Sequence, residues 1–500
     1  LRYLYEVLNA LVKKIKSYIG HEQILPVFLQ KYGQYSFELI TLSINNLTSD
    51  GNIIYYTQDS TMNGKVNAMK SKAFQFLTRI IEIYKEEITN QDLVQLSSKM
   101  VQLVINSIDY AIKNNKHTLH NQENNFKADS SIRDRIGKEE DDYNNFVFSM
   151  LAFLTRVLIR EPFKTEFTPL MQSFLLNSLF PLIVPAKEDM SMIQIDGHDY
   201  YLFISDLIQE QEFKNYRAAA CFLLKKLSTQ YVDLYIFIIS FCIQMLDILL
   251  TSKGDESKIR EMLEKKEFYL FLEAKKRNAS IFLFEPEYLI QFCMIILLLL
   301  SHHVDKNIQF KNSLKLLLQK HSDQLNQLNS ILIKDKLCMI YEEFIPVLFD
   351  DGSNDNVEYV SKIFDFMFNL LLSSSSYPGL SYQAAQSLLY LIEDNATYIT
   401  LMSQVINLKF SNLITLIDEA ENDNLFEFIS KIVSDVVIND YSVLMNALNR
   451  TVIRLKKEII AGNTTYIEKT FQILIVFLKG VNSFKNVNTQ EKLSNIETFQ

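Results

Sequence analysis

Side chains that could support metal chemistry are few in this 500-residue sequence. Of its seven histidines, His117 and His120 are separated by two residues in a polar stretch, and His302 and His303 are adjacent. Zinc sites need three or four protein ligands. Adjacent helical residues also point about 100° apart, so His302 and His303 cannot easily share one ion. We predict no metal site and expect His302 and His303 to end an apolar helix, where the helix dipole favours a charged imidazole.

Nucleotide and acyl-transfer motifs are missing as well. The most closely spaced glycines, Gly20 with Gly33 and Gly51 with Gly64, are too far apart for a GxGxxG turn or a GxxxxGK[ST] phosphate loop. Neither HExxH nor GxSxG occurs. The carboxylate pairs Glu342–Glu343 and Asp350–Asp351 are typical of solvated helix ends rather than of acid–base sites. The sequence therefore predicts no catalytic residue, no cofactor and no enzyme, although an all-helical enzyme with dispersed catalytic residues remains an alternative.

Four cysteines are spread through the chain without a CxxC pair: Cys221, Cys242, Cys293 and Cys338. Each lies within an apolar helical pattern, where a free thiol behaves as a small hydrophobic side chain. We expect reduced, buried cysteines and a reducing compartment.

The elements that must position these residues are predicted to be helices. Gly (11) and Pro (8) are scarce, 48% of the residues are hydrophobic, and apolar positions recur with helical spacing almost throughout. Helix pairs occupy roughly 40 residues, the range of HEAT and armadillo repeats. The sequence therefore predicts an all-α fold, an α-solenoid of antiparallel helix pairs with a right-handed superhelix. We expect N-terminal repeats over 1–113, a polar, acidic-ended loop over 114–142, central repeats over 143–480, and a further repeat or a disordered tail over 481–500.

A Tyr-x-Ala-Ala pattern occurs twice, at Tyr216 and at Tyr382. We interpret the two copies as equivalent repeat helices, in which Ala219 and Ala385 allow a neighbouring helix to approach closely. The polar residues of each copy are predicted to lie on the opposite, solvated face: Lys214, Arg217, Cys221, Lys225 and Ser228 in the first, and Gln383, Gln386, Ser387 and Tyr390 in the second. The basic residues Lys214, Arg217 and Lys225 could alternatively bind an acidic partner.

Charge and hydropathy limit the kinds of partner. The net charge of −9 argues against direct nucleic-acid binding. Residues Tyr231–Leu250 are long enough to span a membrane, but Asp233, Ser240, Gln244 and Asp247 fall within about 60° of one another on a helical projection. We therefore expect a core helix with a narrow polar stripe and no membrane insertion. The acidic residues Asp418, Glu419, Glu421 and Asp423 border a predicted loop that could contact basic cargo or simply favour solubility.

Three segments carry motifs in a fixed order. In 179–207, Asp196-Gly197-His198-Asp199-Tyr200-Tyr201 precedes the helix with the first Tyr-x-Ala-Ala copy. Residues 374–395 contain Pro378, Ala384 and Ala385, and 413–433 contain Glu421, Asp423, Leu425 and Ile429. The ordered series resembles the importin-beta (karyopherin) family of nuclear transport receptors, nearest the importin seven/eight type and then the exportin-two (cellular apoptosis susceptibility) type. The first segment is similar to a "D-P-x-E-Y-I"-like turn of the family, with Gly197 where the family often has Pro, and the other two are similar to a second family helix and a third element.

The resemblance implies a HEAT-repeat receptor that binds protein cargo and phenylalanine-glycine nucleoporins under control of the GTPase Ran, in the cytoplasm, the nucleus and the nuclear pore. The family's N-terminal Ran-binding repeats are not recognisable, so the chain would be a central segment, with Ran contacted mainly outside it. The alternative is a HEAT-repeat scaffold subunit of another complex, of the phosphatase or chromosome-organising type, without a transport role.

Overall fold

The computed structural model describes residues 71–72, 75, 78, 101, 105, 147–159, 161–185, 193–194, 197, 216–264, 274, 279–349, 354–373, 376–393, 398–405, 408 and 441–483. All regular structure in these residues is helical, which confirms the predicted all-α fold of HEAT-like helix pairs. The polar loop 114–142 and most of the C-terminal tail lie outside the described residues, so the predicted domain boundaries stay predictions.

The helices follow one another with short connections. Their bounds are α1 (Val147–Val157), α2 (Glu161–Phe174), α3 (Phe180–Ile183), α4 (Tyr216–Gln230), α5 (Val232–Ser252), α6 (Glu256–Glu264), α7 (Pro286–Leu299), α8 (Ser301–Lys306), α9 (Ile308–Gln327), α10 (Ile331–Leu348), α11 (Asn354–Leu371), α12 (Pro378–Ile392), α13 (Tyr441–Ala461) and α14 (Thr464–Ser483). The chain divides into two compact units, one formed by 1–186, 206–241 and 260–292, the other by 187–205, 242–259 and 293–500.

In the first unit, α2 continues into α3 through the π-helical turn Leu175–Leu179. Pro181 has no N–H to donate to the carbonyl four residues earlier, and the Phe180 N–H instead reaches the carbonyl of Leu175. The wide turn and α3 pack against a 3₁₀ turn, Ser280–Leu283, and the Ser280 N–H donates to Asn177 Oδ1 at 2.9 Å. Around Phe180, the rings of Phe241 and Phe292 lie at centroid distances of 5.9 and 5.0 Å and form an aromatic core.

In the second unit, neighbouring helices pack in sequence order: α9 against α10, α10 against α11 and α12, α11 against α12, and α13 against α14. Local sequence fixes the ends of several helices. The Asn307 side chain caps α9 by accepting hydrogen bonds from the N–H groups of Gln309, at 3.0 Å, and Phe310, at 3.2 Å. Gly462 joins α13 to α14 with φ of 73°, a left-handed conformation that favours glycine. These local signals determine where one helix stops and the next begins.

Helix α5 is the one helix among the described residues that is long and apolar enough to cross a membrane. Within its most apolar window, however, 61% of the residues are buried inside the structure. The predicted polar stripe is confirmed, because Asp233 is exposed and Ser240, Gln244 and Asp247 are each partly exposed. These observations support a packed core helix.

Candidate functional site

The acidic residues that sequence analysis proposes for cargo binding cannot be placed. Asp418, Glu419, Glu421 and Asp423 lie outside the described residues, as do His117, His120 and the pair Asp350–Asp351. The proposed contact between this acidic loop and a basic cargo therefore remains a prediction.

The described histidines do not form a metal site. Within the described part of the chain, no group of three or more His, Cys, Asp or Glu side chains is placed to hold a metal ion. The apolar helix α7 ends at Leu299, and His302 and His303 lie in the short helix α8 that follows it. Their ring centroids are 5.9 Å apart. Partial burial lowers the pKa of His303, and His302 and Lys306 lower it further. The prediction that these histidines end the apolar helix was wrong, since both lie in α8, and the surroundings of His303 also disfavour a charge on its imidazole.

The cysteines are buried and reduced, as predicted. Burial raises the pKa of Cys221 to about 12, although the charge of Arg217 acts in the opposite direction. The pKa of Cys293 is raised by burial and by its neighbour Cys242, and that of Cys338 by burial and by nearby carboxylates. A thiol that stays protonated and shielded from solvent is a poor nucleophile. None of these cysteines is therefore a candidate catalytic residue.

A polar seam between α10 and α12 contradicts the predicted solvation of Glu342. This residue lies within α10 and accepts a hydrogen bond from Ser387 Oγ at 2.7 Å, and Gln383 Nε2 donates to Ser387 Oγ at 3.1 Å. Burial raises the pKa of Glu342, the Ser387 hydrogen bond opposes this rise, and Glu343 adds to it. Because Ser387 is 0% exposed, the pair cannot meet a substrate. The seam joins two helices and carries no chemistry.

The predicted solvated faces of the two Tyr-x-Ala-Ala helices were therefore partly wrong. Helix α12 packs against both α10 and α11, which buries Gln383 and Ser387 and leaves Tyr390 exposed. In α4, Arg217, Cys221 and Ser228 are all buried, and Lys225 is only partly exposed. The proposed basic surface of α4 consequently loses its central residue, Arg217. The alanines behave as predicted, because Ala219 and Ala385 are 5% and 0% exposed.

A polar clasp joins α5 to α9. Asp247 Oδ1 accepts hydrogen bonds from Lys320 Nζ and His321 Nε2, both at 2.7 Å, and Gln324 Nε2 donates to the Leu250 carbonyl. Burial alone would raise the pKa of Asp247, but the hydrogen bonds and charges of Lys320 and His321 outweigh it and hold this pKa below its ordinary value. Sequence analysis identified Asp247 only as part of a polar stripe, since its partners lie in a helix far along the chain.

Another close approach links two segments that resemble the transport-receptor family. A Cβ atom built on Gly197 would lie 2.7 Å from Tyr382 Cβ and 3.0 Å from Tyr382 Cγ, too close for any side chain. Close packing against Tyr382 therefore explains why residue 197 is glycine, because the proline that the family often has at this place would collide with the Tyr382 side chain. The contact places Gly197 against the second Tyr-x-Ala-Ala helix.

A cavity in the second unit is small and apolar. It has a volume of about 10 Å³ and is lined by Leu246, Leu250, Met294, Leu297, Leu314, Leu317, Leu318, Leu325 and Ile340. A volume of this size holds about one water molecule, and an apolar lining offers water no hydrogen-bond partner. A cavity of this size and lining is not a metabolite site.

Comparison with known proteins gives structural similarities alone. No protein-family model and no curated protein matches the chain. The fold is similar to the exportin Cse1 in its cargo-free, cytoplasmic state, at 11% identity and a TM-score of 0.39, over 94% of this chain and 55% of that one. It is also similar to the karyopherin Kap121p bound to the SUMO protease Ulp1p, at 11% identity and a TM-score of 0.31, over 99% of this chain and 55% of that one.

A circular tandem repeat protein with novel repeat topology is a further structural match, at 11% identity and a TM-score of 0.20, over 92% of this chain and 97% of that one. The chain thus spans about half the length of the two transport proteins. Similarities at this level identify neither an activity nor a partner.

Proposed function

We propose that the chain is a segment of a HEAT-repeat nuclear transport receptor that binds protein cargo and phenylalanine-glycine nucleoporins under control of the GTPase Ran. The observation that supports this most is the contact of Gly197 with Tyr382, because both residues belong to segments that resemble the importin-beta family. They are far apart in sequence, yet a Cβ on Gly197 would meet the Tyr382 side chain. One residue of the first resembling segment therefore packs against one residue of the second.

The proposed mechanism uses the flexibility of a repeat array. Because each helix pair contacts mainly its neighbours, small changes at successive contacts add up to a change in curvature. Ran-GTP would release or admit cargo by binding one conformer preferentially. Buried alanines such as Ala385 and seams such as Glu342–Ser387 would keep each pair rigid while the array flexes. Ran itself would be contacted mainly by repeats N-terminal to this segment.

Cargo would bind through the acidic residues around Glu421. We propose that Asp418, Glu419, Glu421 and Asp423 contact a basic cargo segment at the rim of the array. The double substitution Glu421→Lys, Asp423→Lys should then weaken cargo binding and reduce its salt dependence. The substitution Glu343→Lys, at an exposed carboxylate elsewhere, should leave cargo binding and its salt dependence unchanged. If both changes weakened cargo binding equally, the acidic residues would act only through the net charge of the protein, and the proposed contact with cargo would be wrong.

One pull-down separates this function from the scaffold alternative. The chain, joined to any native sequence that precedes it, is tested against immobilised phenylalanine-glycine repeats, serine-glycine repeats and Ran-GTP. Transport predicts retention on the phenylalanine-glycine repeats and on Ran-GTP but not on the serine-glycine repeats. A chain that binds neither of the first two is not a transport receptor. A role as a scaffold subunit of a phosphatase or chromosome-organising complex would then be the better hypothesis. The proposed localisation to the cytoplasm and the nuclear pore would be withdrawn with the transport function.

A further inference from the structure

One face of α13 combines exposed cations with exposed apolar side chains. At 100° per residue, six other exposed residues fall within about 60° of Ile453 on either side. The isoleucines Ile453 and Ile460 are 62% and 87% exposed. The face, called here the basic–apolar face, consists of Asn446, Asn449, Arg450, Ile453, Lys456, Lys457 and Ile460.

The charge of this helix pair differs in sign from that of the whole chain. Residues 441–483 contain six Lys or Arg and two Glu, a net charge of +4 in a chain of net charge −9. One of the two acids, Glu458, is buried and lies 3.6 Å from the buried Arg454, whose guanidinium also sits 5.7 Å from the Tyr466 ring. This internal pair is neutral, and the seven residues of the basic–apolar face include three cations and no carboxylate.

A merely solvated helix face has a different pattern. Solvated faces usually mix charges of both signs, with opposite charges three or four residues apart. Here Lys456 and Lys457 are adjacent, and they lie between two isoleucines that are seven residues, or about 10 Å, apart along the helix. Such a surface complements a ligand that offers carboxylates and apolar side chains together.

We propose that the basic–apolar face of α13 is a docking site for an acidic peptide segment of a partner protein, with apolar side chains that contact Ile453 and Ile460. A phosphate backbone would neutralise Arg450, Lys456 and Lys457 but would leave both isoleucines in water. A lipid bilayer would accept the isoleucines, yet the three cations lie on the same face as the two isoleucines, whereas a helix that lies in a membrane surface carries its cations on the face opposite its apolar residues. The site is independent of the proposed transport function and of the acidic loop around Glu421.

The test uses a fluorescent synthetic peptide of glutamate and leucine, in which leucines seven residues apart form one helical stripe, and measures binding by anisotropy. The Lys456→Glu, Lys457→Glu variant should weaken binding about tenfold or more, as expected for two lost charge contacts of about 0.7 kcal/mol or more each. A Lys306→Glu, Lys479→Glu variant carries the same charge change at two other exposed lysines and should keep the wild-type affinity within about twofold. Melting temperatures confirm that both variants fold.

A second peptide, with every glutamate replaced by glutamine, separates charge recognition from nonspecific apolar contact. The proposal requires that this peptide bind weakly, and that Ile453→Ser with Ile460→Ser reduce binding of the glutamate peptide. Equal binding of the two peptides, or equal losses in the Lys456/Lys457 and Lys306/Lys479 variants, would overturn it. So would tighter binding of duplex RNA or of phosphatidylserine vesicles than of the peptide, either of which would assign the face to another class of partner.

Discussion

Replacing Asp247 by alanine is expected to lower the free energy of unfolding by about 2–3 kcal/mol. The clasp explains the size of the effect. His321 is 5% exposed, so removal of the carboxylate leaves its buried Nε2 without an acceptor, which costs about 1–3 kcal/mol. The Lys320 side chain is 55% exposed, and its salt bridge adds at most about 1 kcal/mol. Urea denaturation at neutral pH measures the difference, and the Lys320→Met variant isolates the smaller contribution.

The pH dependence of this effect has a defined sign. Lys320 and His321 hold the pKa of Asp247 below its ordinary value in the folded protein. The folded state therefore binds this proton less readily than the unfolded chain does. The contribution is present above the unfolded-state pKa and is lost as the pH falls through the lower folded-state pKa. The stability difference between wild type and Asp247→Asn should accordingly shrink in acid.

A second Asp–Lys pair supplies the control. Asp305 and Lys311 are 2.8 Å apart, with side chains 50% and 29% exposed, so neither group is fully removed from water. Asp305→Ala should therefore cost no more than about 1 kcal/mol. The stabilising role of the clasp would be refuted if Asp305→Ala and Asp247→Ala lowered the free energy of unfolding equally. It would also be refuted if the stability difference between wild type and Asp247→Asn stayed the same in strong acid.

Three further changes test the packing. Gly197→Ala places a methyl group 2.7 Å from Tyr382 Cβ and should lower stability by about 1–3 kcal/mol in thermal melting; an unchanged melting temperature would exclude the contact. Ala385→Leu should overpack α12 by about 1–3 kcal/mol, whereas Gln386→Leu, at a partly exposed neighbour, should change stability by less than about 0.5 kcal/mol; similar effects would contradict the close-packed alanine. The stability of Glu342→Gln relative to the wild type should be greater at neutral pH than in acid. Burial raises the pKa of the Glu342 carboxyl in the folded protein, so the wild type loses stability as the pH rises above the unfolded-state pKa. A stability difference that does not change with pH would refute this prediction.

Sequence periodicity predicts the helices well where the apolar pattern is long. The core helix expected over Tyr231–Leu250 agrees closely with α5, which spans Val232–Ser252. The break at Leu300 was missed, because the apolar run passes into the next segment without proline or glycine, and the prediction therefore joined α7 to α8. The π-helical turn Leu175–Leu179 was also missed, although Pro181 gave a usable signal for it.

The surroundings of individual side chains were harder to predict. A helical projection separates one buried face from one exposed face, but α12 contacts two neighbours and buries Gln383 and Ser387 as well. For the same reason Glu342 looked like a solvated carboxylate, since its partner Ser387 lies in a different helix. Gly197 was noticed as a departure from a family pattern, but only the packed structure supplies its cause, the Tyr382 side chain.

Passage through nuclear pores tests the proposed transport function most directly. The labelled protein, with any native flanking sequence, is added to permeabilised cells beside an inert helical-repeat protein of the same size. A transport receptor should concentrate at the nuclear rim and enter nuclei faster than the inert protein, and excess phenylalanine-glycine peptide should suppress both effects. Exclusion from nuclei to the same extent as the inert protein, with no labelling of the rim, would contradict the account.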